Sequence, residues 1–98
     1  MKIIITDSAE EQLLELKNDP TKSGVFKQVS KALRFMAANL RHNGLQTHKY
    51  DDIENPFDKN KPVFESYAQN KTPCAYRIFW VYGPDQKEVT VLAITPHP

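Results

Sequence analysis

The last quarter of the chain carries the clearest pattern of apolar positions. Two runs rich in β-branched and aromatic residues, 76–82 and 89–94, flank the turn-forming residues Gly83, Pro84 and Asp85. This pattern is typical of an antiparallel β-hairpin with a loop longer than two residues. Both faces of each run are largely apolar, so we expect two central strands that are covered on both sides.

Strict alternation assigns each hairpin residue to one face of the sheet. It divides the second strand into two sets: Val89, Val91 and Ala93 on one face, and Thr90, Leu92 and Ile94 on the other. In an antiparallel hairpin the start of one strand lies beside the end of the next. We therefore expect Arg77 and His97 to lie near each other at one end of the sheet.

The first half of the chain predicts one strand followed by two helices. Residues 2–6 are a short β-branched run. Ser8 and Glu11 have the spacing of a capping box, and apolar residues then recur at helical spacing until the stop signal at 18–20. A second apolar stripe predicts a helix that begins near Thr21 or Ser23 and ends at Asn43-Gly44.

The segment 45–62 has no clear period, and a connection of this length is usually functional, mobile or hides a short element. Residues 63–68 then alternate, which predicts a strand with Phe64 on one face and Glu65 and Tyr67 on the other. The predicted order is β-α-α-β-β-β. We expect a single α+β domain over 1–98, in which an N-terminal two-helix hairpin packs on a small antiparallel-rich sheet.

Composition is that of a soluble globular protein, with 40% hydrophobic and 26% charged residues. The sequence has neither a run of membrane-spanning length nor a signal-peptide core, so we predict a cytoplasmic protein without a membrane partner. Cys74 is the only cysteine, which excludes an intrachain disulfide. His42, His48 and His97 lack paired-ligand spacing. We expect no metal site and no cofactor.

The net charge of +1 hides an uneven distribution of charge. Residues 21–50 contain no Asp or Glu, whereas acidic residues precede and follow this segment. Such segregation can steer a polyanion to one face, although a solvated helix surface gives the same pattern. The candidate polyanion-binding side chains are Lys27, Lys31, Arg34, Arg41 and Lys49. We expect all of them except Lys49 to share the polar side of the second helix.

Arg77 interrupts an apolar strand, where an unpaired charge would be costly. It could form a structural salt bridge with Glu65 on the neighbouring strand, or it could clamp a phosphate with its forked guanidinium. His97 is either an exposed tail residue or the best candidate general acid in the chain. Glu65 and Tyr67 could supply a base or orient a substrate.

The element order and the segments AYRIFWVY (75–82) and VTVLAITPHP (89–98) resemble the RelE/ParE superfamily of bacterial toxins. Within it, the chain is most similar to RelE-like mRNA interferases of type II toxin–antitoxin systems. The architectural resemblance covers nearly the whole chain, and specific motifs begin at Val63. It implies cleavage of mRNA in the ribosome without a metal ion, and neutralisation by a cognate antitoxin protein.

Carried over to this sequence, the resemblance implies a role for each strand-end residue. Arg77 matches the arginine of the family's YR pair, which stabilises the scissile phosphate, and His97 lies where several members place a proton-transfer residue. The chain departs from the family pattern because its second predicted strand, 63–68, has no lysine and no Lys or Arg follows Val89. An arrangement of histidine, glutamate and tyrosine is the possible substitute.

The mechanism implied for the chain is attack by an RNA 2′-OH on the adjacent phosphate. Glu65 or Tyr67 would assist deprotonation of the 2′-OH. Arg77 would stabilise the phosphate, and His97 would protonate the leaving oxygen. The basic side chains would contact ribosomal RNA. Two alternatives stay open at this point: a ParE-like poison of DNA gyrase, and a non-catalytic or decayed module that retains only the antitoxin-binding surface.

Overall fold

A mixed sheet of five strands forms the centre of the computed structural model, which describes residues 1–97. The strands are β1 (Lys2–Ile5), β2 (His48–Tyr50), β3 (Val63–Tyr67), β4 (Tyr76–Tyr82) and β5 (Glu88–Pro96), and the helices are α1 (Asp7–Asn18) and α2 (Ser23–Ala38). The strands lie in the order β1-β5-β4-β3-β2, in which β1 is parallel to β5 and all other pairs are antiparallel. The predicted α+β fold is confirmed, with β2 as an additional strand inside the segment that showed no period.

The N-cap of helix α1 lies two residues before its predicted position. The N-cap is Thr6, whose hydroxyl accepts a hydrogen bond from the Ala9 N–H at 3.2 Å. The predicted capping box was therefore wrong, because Ser8 already lies inside the first turn. The predicted stop is confirmed, since α1 ends at Asn18. Hydrogen bonds from the Thr21 hydroxyl and backbone N–H then lower the pKa of Asp19, which caps the short turn between the helices.

Helix α2 begins at Ser23, one of the two predicted positions, but ends at Ala38 instead of near Asn43. Asn39 leaves the helical conformation, and its side-chain oxygen accepts a hydrogen bond from the Arg41 N–H at 3.0 Å. Asparagine competes with the helix in this way through local side-chain bonds. Arg41 therefore lies beyond the helix, and the prediction that it shares the polar side of α2 was wrong.

The main core lies between the two helices and one face of the sheet. Trp80 and Met36 are fully buried at its centre. The Trp80 indole N–H donates to the Ser66 hydroxyl at 2.8 Å, so burial leaves this polar group satisfied. The remaining buried members come from both helices, the segment after α2, and strands β4 and β5: Ala9, Leu16, Val29, Ala32, Leu45, Ile78, Val89, Val91 and Ile94.

The opposite face of the sheet carries a smaller apolar cluster of Val63, Phe79 and Val81. Residues from β2 and the following segment pack against it, with the Tyr50 ring centroid 4.9 Å from that of Phe79. These residues cover one end of this face of the sheet, and polar side chains occupy the other end. Glu65 and Arg77 lie there.

A β-bulge in β5 changes which residues face each side. Phe79 pairs with Ala93, whereas the next residue, Trp80, pairs with Val91, so Leu92 has no partner on β4. The extra residue reverses the alternation along the rest of the strand. The predicted face assignment was therefore wrong after Val91: Ile94 joins the main core and Ala93 packs on the opposite face.

Truncation of Met36 tests the main core. We expect Met36→Ala to lower the free energy of unfolding by about 2–5 kcal/mol, because the fully buried side chain leaves a cavity. Urea unfolding followed through the single tryptophan, Trp80, measures the change. Leu14→Ala is the matched control, since Leu14 is 46% exposed on α1 and its loss should cost within about 0.5 kcal/mol. Equal losses in the two variants would contradict this core.

Over residues 1–97, no helix combines the length and apolar character needed to cross a bilayer.

Candidate functional site

Glu65 lies at the centre of a polar cluster on the face of the sheet opposite the helices. Glu65 is only 1% exposed to solvent. Oε1 lies 2.6 Å from Nε2 of His48. Oε2 faces two further nitrogen atoms, Nε of Arg77 at 3.9 Å and Nε2 of His97 at 3.8 Å. One buried carboxylate thus draws together side chains from β2, from β4 and from the segment after β5.

Strand register explains why these residues meet. His48 pairs with Glu65 across β2 and β3, and Tyr67 pairs with Arg77 across β3 and β4. Arg77 pairs in turn with Thr95 on β5. Because side chains alternate along a strand, the bulge at Leu92 is what places Thr95 on the Glu65 face. The His97 N–H then donates to the Ala75 carbonyl at 2.8 Å, which holds His97 beside the start of β4.

The Arg77 guanidinium is held in a fixed orientation. Its Nη1 donates to the Gln69 carbonyl at 2.7 Å and to the Tyr76 carbonyl at 3.3 Å. Its Cζ lies 3.6 Å from the centroid of the Tyr67 ring, so the cation stacks on the aromatic face. The residue is 8% exposed. These contacts use one end of the guanidinium and leave Nε directed toward Glu65.

Two buried polar atoms in this cluster lack hydrogen-bond partners within the part of the chain that the structure describes. They are Oε2 of Glu65 and Nε of Arg77. The two atoms face each other at 3.9 Å, which is too long for a hydrogen bond. An unsatisfied buried donor opposite an unsatisfied buried acceptor is costly for folding alone. Both atoms are shielded from solvent, so a hydroxyl that pairs with them must enter the cluster itself, where it can accept from Nε and donate to Oε2.

The sequence predictions placed three of these residues together correctly in space. Arg77 and His97 meet at the carboxylate of Glu65, and the Tyr67 ring supports the arginine by stacking. The salt bridge between Arg77 and Glu65, one of the two alternatives that the sequence left open for the arginine, is present as a 3.9 Å ion pair without a hydrogen bond. No side chain is thereby assigned a catalytic role.

His48 is the site residue that sequence reasoning missed. It lies on the three-residue strand β2, which is too short to show an alternation of its own. The available signal was a histidine in the basic segment before Glu65, and a strand placed at 48–50 would have paired the two residues.

Tyr50, two residues further along β2, is not suited to act as a base. Burial raises the pKa of Tyr50, and the negative charges of Asp52 and Glu65 raise it further. Its hydroxyl therefore stays protonated at neutral pH.

The predicted polyanion-binding side chains do not adjoin Glu65. Lys27, Lys31 and Arg34 are exposed on α2, which packs on the other face of the sheet. Lys49 is exposed and pairs with Phe64, so it also points away from the Glu65 face. Any contact that these residues make with a polyanion is separate from the polar cluster.

Among residues 1–97, no group of three or more His, Cys, Asp or Glu side chains has an arrangement that could hold a metal ion.

No protein-family model matches the sequence, and no curated protein is similar to it. Solved structures do match over nearly the whole chain. The YoeB/ParE toxin from Agrobacterium tumefaciens superimposes with a TM-score of 0.70 at 9% identity, over 100% of both chains. The YoeB dimer from Staphylococcus aureus gives 0.62 at 12% identity, over 100% of this chain and 98% of that one.

The archaeal RelE–RelB complex from Pyrococcus horikoshii OT3 matches with a TM-score of 0.61 at 12% identity, over 97% of this chain and 92% of that chain. At these identities the similarity establishes the fold alone. The chain therefore has the RelE/ParE-like toxin fold, as its sequence motifs predicted.

Proposed function

We propose that this protein is the toxin of a type II toxin–antitoxin system and cleaves mRNA on the ribosome without a metal ion. The observation that carries the proposal is the gap between Oε2 of Glu65 and Nε of Arg77, with His97 beside it. The gap presents a proton acceptor, a fixed cation and a proton donor to one bound group. Those three functions are what transesterification of RNA requires.

In the proposed reaction, Oε2 of Glu65 accepts the proton of an RNA 2′-OH. The O2′–P bond forms as the P–O5′ bond breaks, and Nε2–H of His97 donates a proton to the departing O5′. The products are a 2′,3′-cyclic phosphate and a 5′-hydroxyl end. Since the base must start deprotonated and the acid protonated, the rate should have a bell-shaped dependence on pH.

Arg77 stabilises the charge that develops on the phosphate. Its carbonyl contacts and its stacking on Tyr67 fix the guanidinium before substrate binds, and such preorganised groups contribute most to transition-state stabilisation. The geometry favours Glu65 over Tyr67 as the base, because the Tyr67 ring already supports the arginine. His97 has a side chain that is 48% exposed, so substrate can approach from its side of the gap.

Binding to the ribosome would use the exposed basic side chains outside this gap. Lys27, Lys31 and Arg34 present positive charge on α2, and Arg41 and Lys49 add to it. Their contacts with RNA phosphates should weaken as salt is raised, because bound counterions are released on association. A cognate antitoxin is the second proposed partner. The match to a toxin solved in complex with RelB supports it.

Induced expression tests the proposal in cells. We expect the wild-type chain to arrest growth and to block protein synthesis within minutes. Two variants are compared with it: Glu65→Gln, which changes the polar cluster, and Lys59→Ala, which changes only the exposed surface. The first variant should be harmless and the second, an exposed loop substitution, should be as toxic as wild type. Incorporation of labelled amino acids and a DNA-damage reporter are measured together. Arrest with continued translation and damaged DNA, or no arrest, would contradict the proposal.

A further inference from the structure

We infer that His48 is a positioning residue, which holds the buried Glu65 as an ionised carboxylate with Oε2 turned toward the substrate. The inference rests on the proposed nuclease function and adds a residue to it. His48 contacts the carboxylate oxygen that does not face Arg77 and His97. It acts through Oε1 of Glu65, which lies 2.6 Å from its Nε2.

Both ring nitrogens of His48 face hydrogen-bond acceptors. Nδ1 lies 2.9 Å from the Gln46 carbonyl oxygen, and Nε2 faces the Glu65 carboxylate. A neutral imidazole carries a proton on only one nitrogen, whereas two acceptors require two donors. With Glu65 ionised, the arrangement is satisfied by an imidazolium that donates from both nitrogens to a carbonyl and a carboxylate. Charge-assisted bonds of this kind are short, as the 2.6 Å distance is.

The backbone before β2 is shaped to hold this ring. Gln46 has a left-handed conformation, with φ of 47°, which non-glycine residues adopt rarely. The Gln46 N–H closes the preceding turn by donating to the Asn43 carbonyl at 3.2 Å, while the Gln46 carbonyl meets the His48 ring. The Tyr67 ring contacts His48 edge-on, with centroids 5.8 Å apart. The imidazole is thus fixed on two sides before it meets Glu65.

The ionisable groups around His48 come from three elements. Glu65 from β3 is the acidic group that faces His48, and its other oxygen faces Arg77 from β4 and His97 after β5. Occupation of Oε1 by His48 leaves Oε2 as the atom free to accept the substrate proton. Without His48, the carboxylate could rotate toward Arg77.

Three variants separate these contributions. His48→Gln can place an amide N–H near the position of Nε2 and so keeps a neutral donor to Glu65. His48→Asn places its amide near the position of Nδ1 and loses that donor. His42→Asn is the control, because His42 caps the Gly44 N–H in a separate turn and an asparagine oxygen can replace it.

Cleavage of mRNA on programmed ribosomes is measured for each purified variant across pH. We expect His48→Asn to lower kcat by about 10–100-fold with little change in KM, as loss of a residue that orients an active group does. His48→Gln should lose less activity, and His42→Asn should match wild type. An unchanged kcat for His48→Asn would overturn the inference.

Nitrogen NMR of the imidazole rings tests the pairing without any need for nuclease activity. We expect both nitrogens of His48 to carry protons in the wild-type protein and the ring to become neutral in Glu65→Gln. An inactive wild-type protein with this signature would refute the proposed nuclease while leaving the His48–Glu65 pair intact. A wild-type His48 with an unprotonated Nε2 would overturn the inference, even in an active protein.

Discussion

Arg77→Lys should lower the rate of mRNA cleavage by about 100-fold or more, since removal of one transition-state donor typically costs 10²–10³ in kcat. Lysine keeps the positive charge beside Glu65 but not the planar fork. A single ammonium group cannot bond to the Gln69 carbonyl, stack on Tyr67 and still present a second donor to the gap. Single-turnover cleavage on programmed ribosomes measures the effect.

Arg77→Ala should be at least as inactive, and it should also be less stable by about 1–3 kcal/mol because it leaves a buried acceptor without its cation. The lysine variant separates the two effects, since it should unfold close to wild type. Lys59→Ala controls for loss of positive charge at an exposed position. Full activity of Arg77→Lys would show that the guanidinium geometry is not used, and the assignment of Arg77 would be wrong.

Glu65→Gln should lower the cleavage rate by about 10²–10⁴, the usual contribution of a general base. The substitution keeps the shape of the side chain but removes the proton acceptor at Oε2. It also leaves Arg77, which is 8% exposed, without its counter-charge, so a moderate loss of thermal stability should accompany the loss of activity. Cleavage rate and thermal unfolding are measured on the same preparations.

The matched control is Glu11→Gln, which makes the same chemical change on the exposed surface of α1. It should leave both measurements within error of wild type. If Glu65→Gln retained wild-type activity with normal pH dependence, Glu65 would be a structural partner of Arg77 and His48, and the base would have to be another group.

The hairpin was predictable because its signals are local and strong. Residues 76–82 are apolar and aromatic without interruption except at Arg77, and Gly83, with φ of 107°, occupies a turn position that favours glycine. Antiparallel pairing then required the start of β4 to lie near the end of β5. That rule alone brought Arg77 and His97 to the same end of the sheet.

The bulge at Leu92 was not predictable from alternation. Every residue from Val89 to Ile94 can occupy a strand, so the pattern contains no sign that one residue will be left unpaired. Its consequence is large, because it sends Ile94 into the main core and places Thr95 beside Arg77. The packing of both layers against the sheet decides this register.

The role of β2 was hidden for a different reason. Three residues cannot display a period, and an edge strand depends on the pairing that β3 offers it. His48 was therefore considered only as a candidate metal ligand and as a residue of the basic segment. The end of α2 was likewise set by a side-chain hydrogen bond of Asn39, and the glycine signal at Gly44 fell in the next turn instead.

The most direct test of the account is the chemistry of the cut ends on mRNA bound to purified ribosomes. The account predicts that wild-type protein leaves a 2′,3′-cyclic phosphate and a 5′-hydroxyl, that naked mRNA stays intact, and that Glu65→Gln yields no such ends. Cuts that leave 5′-phosphate ends would contradict the mechanism. Intact mRNA after incubation with wild-type protein would contradict the central claim that this fold carries a ribosome-dependent nuclease.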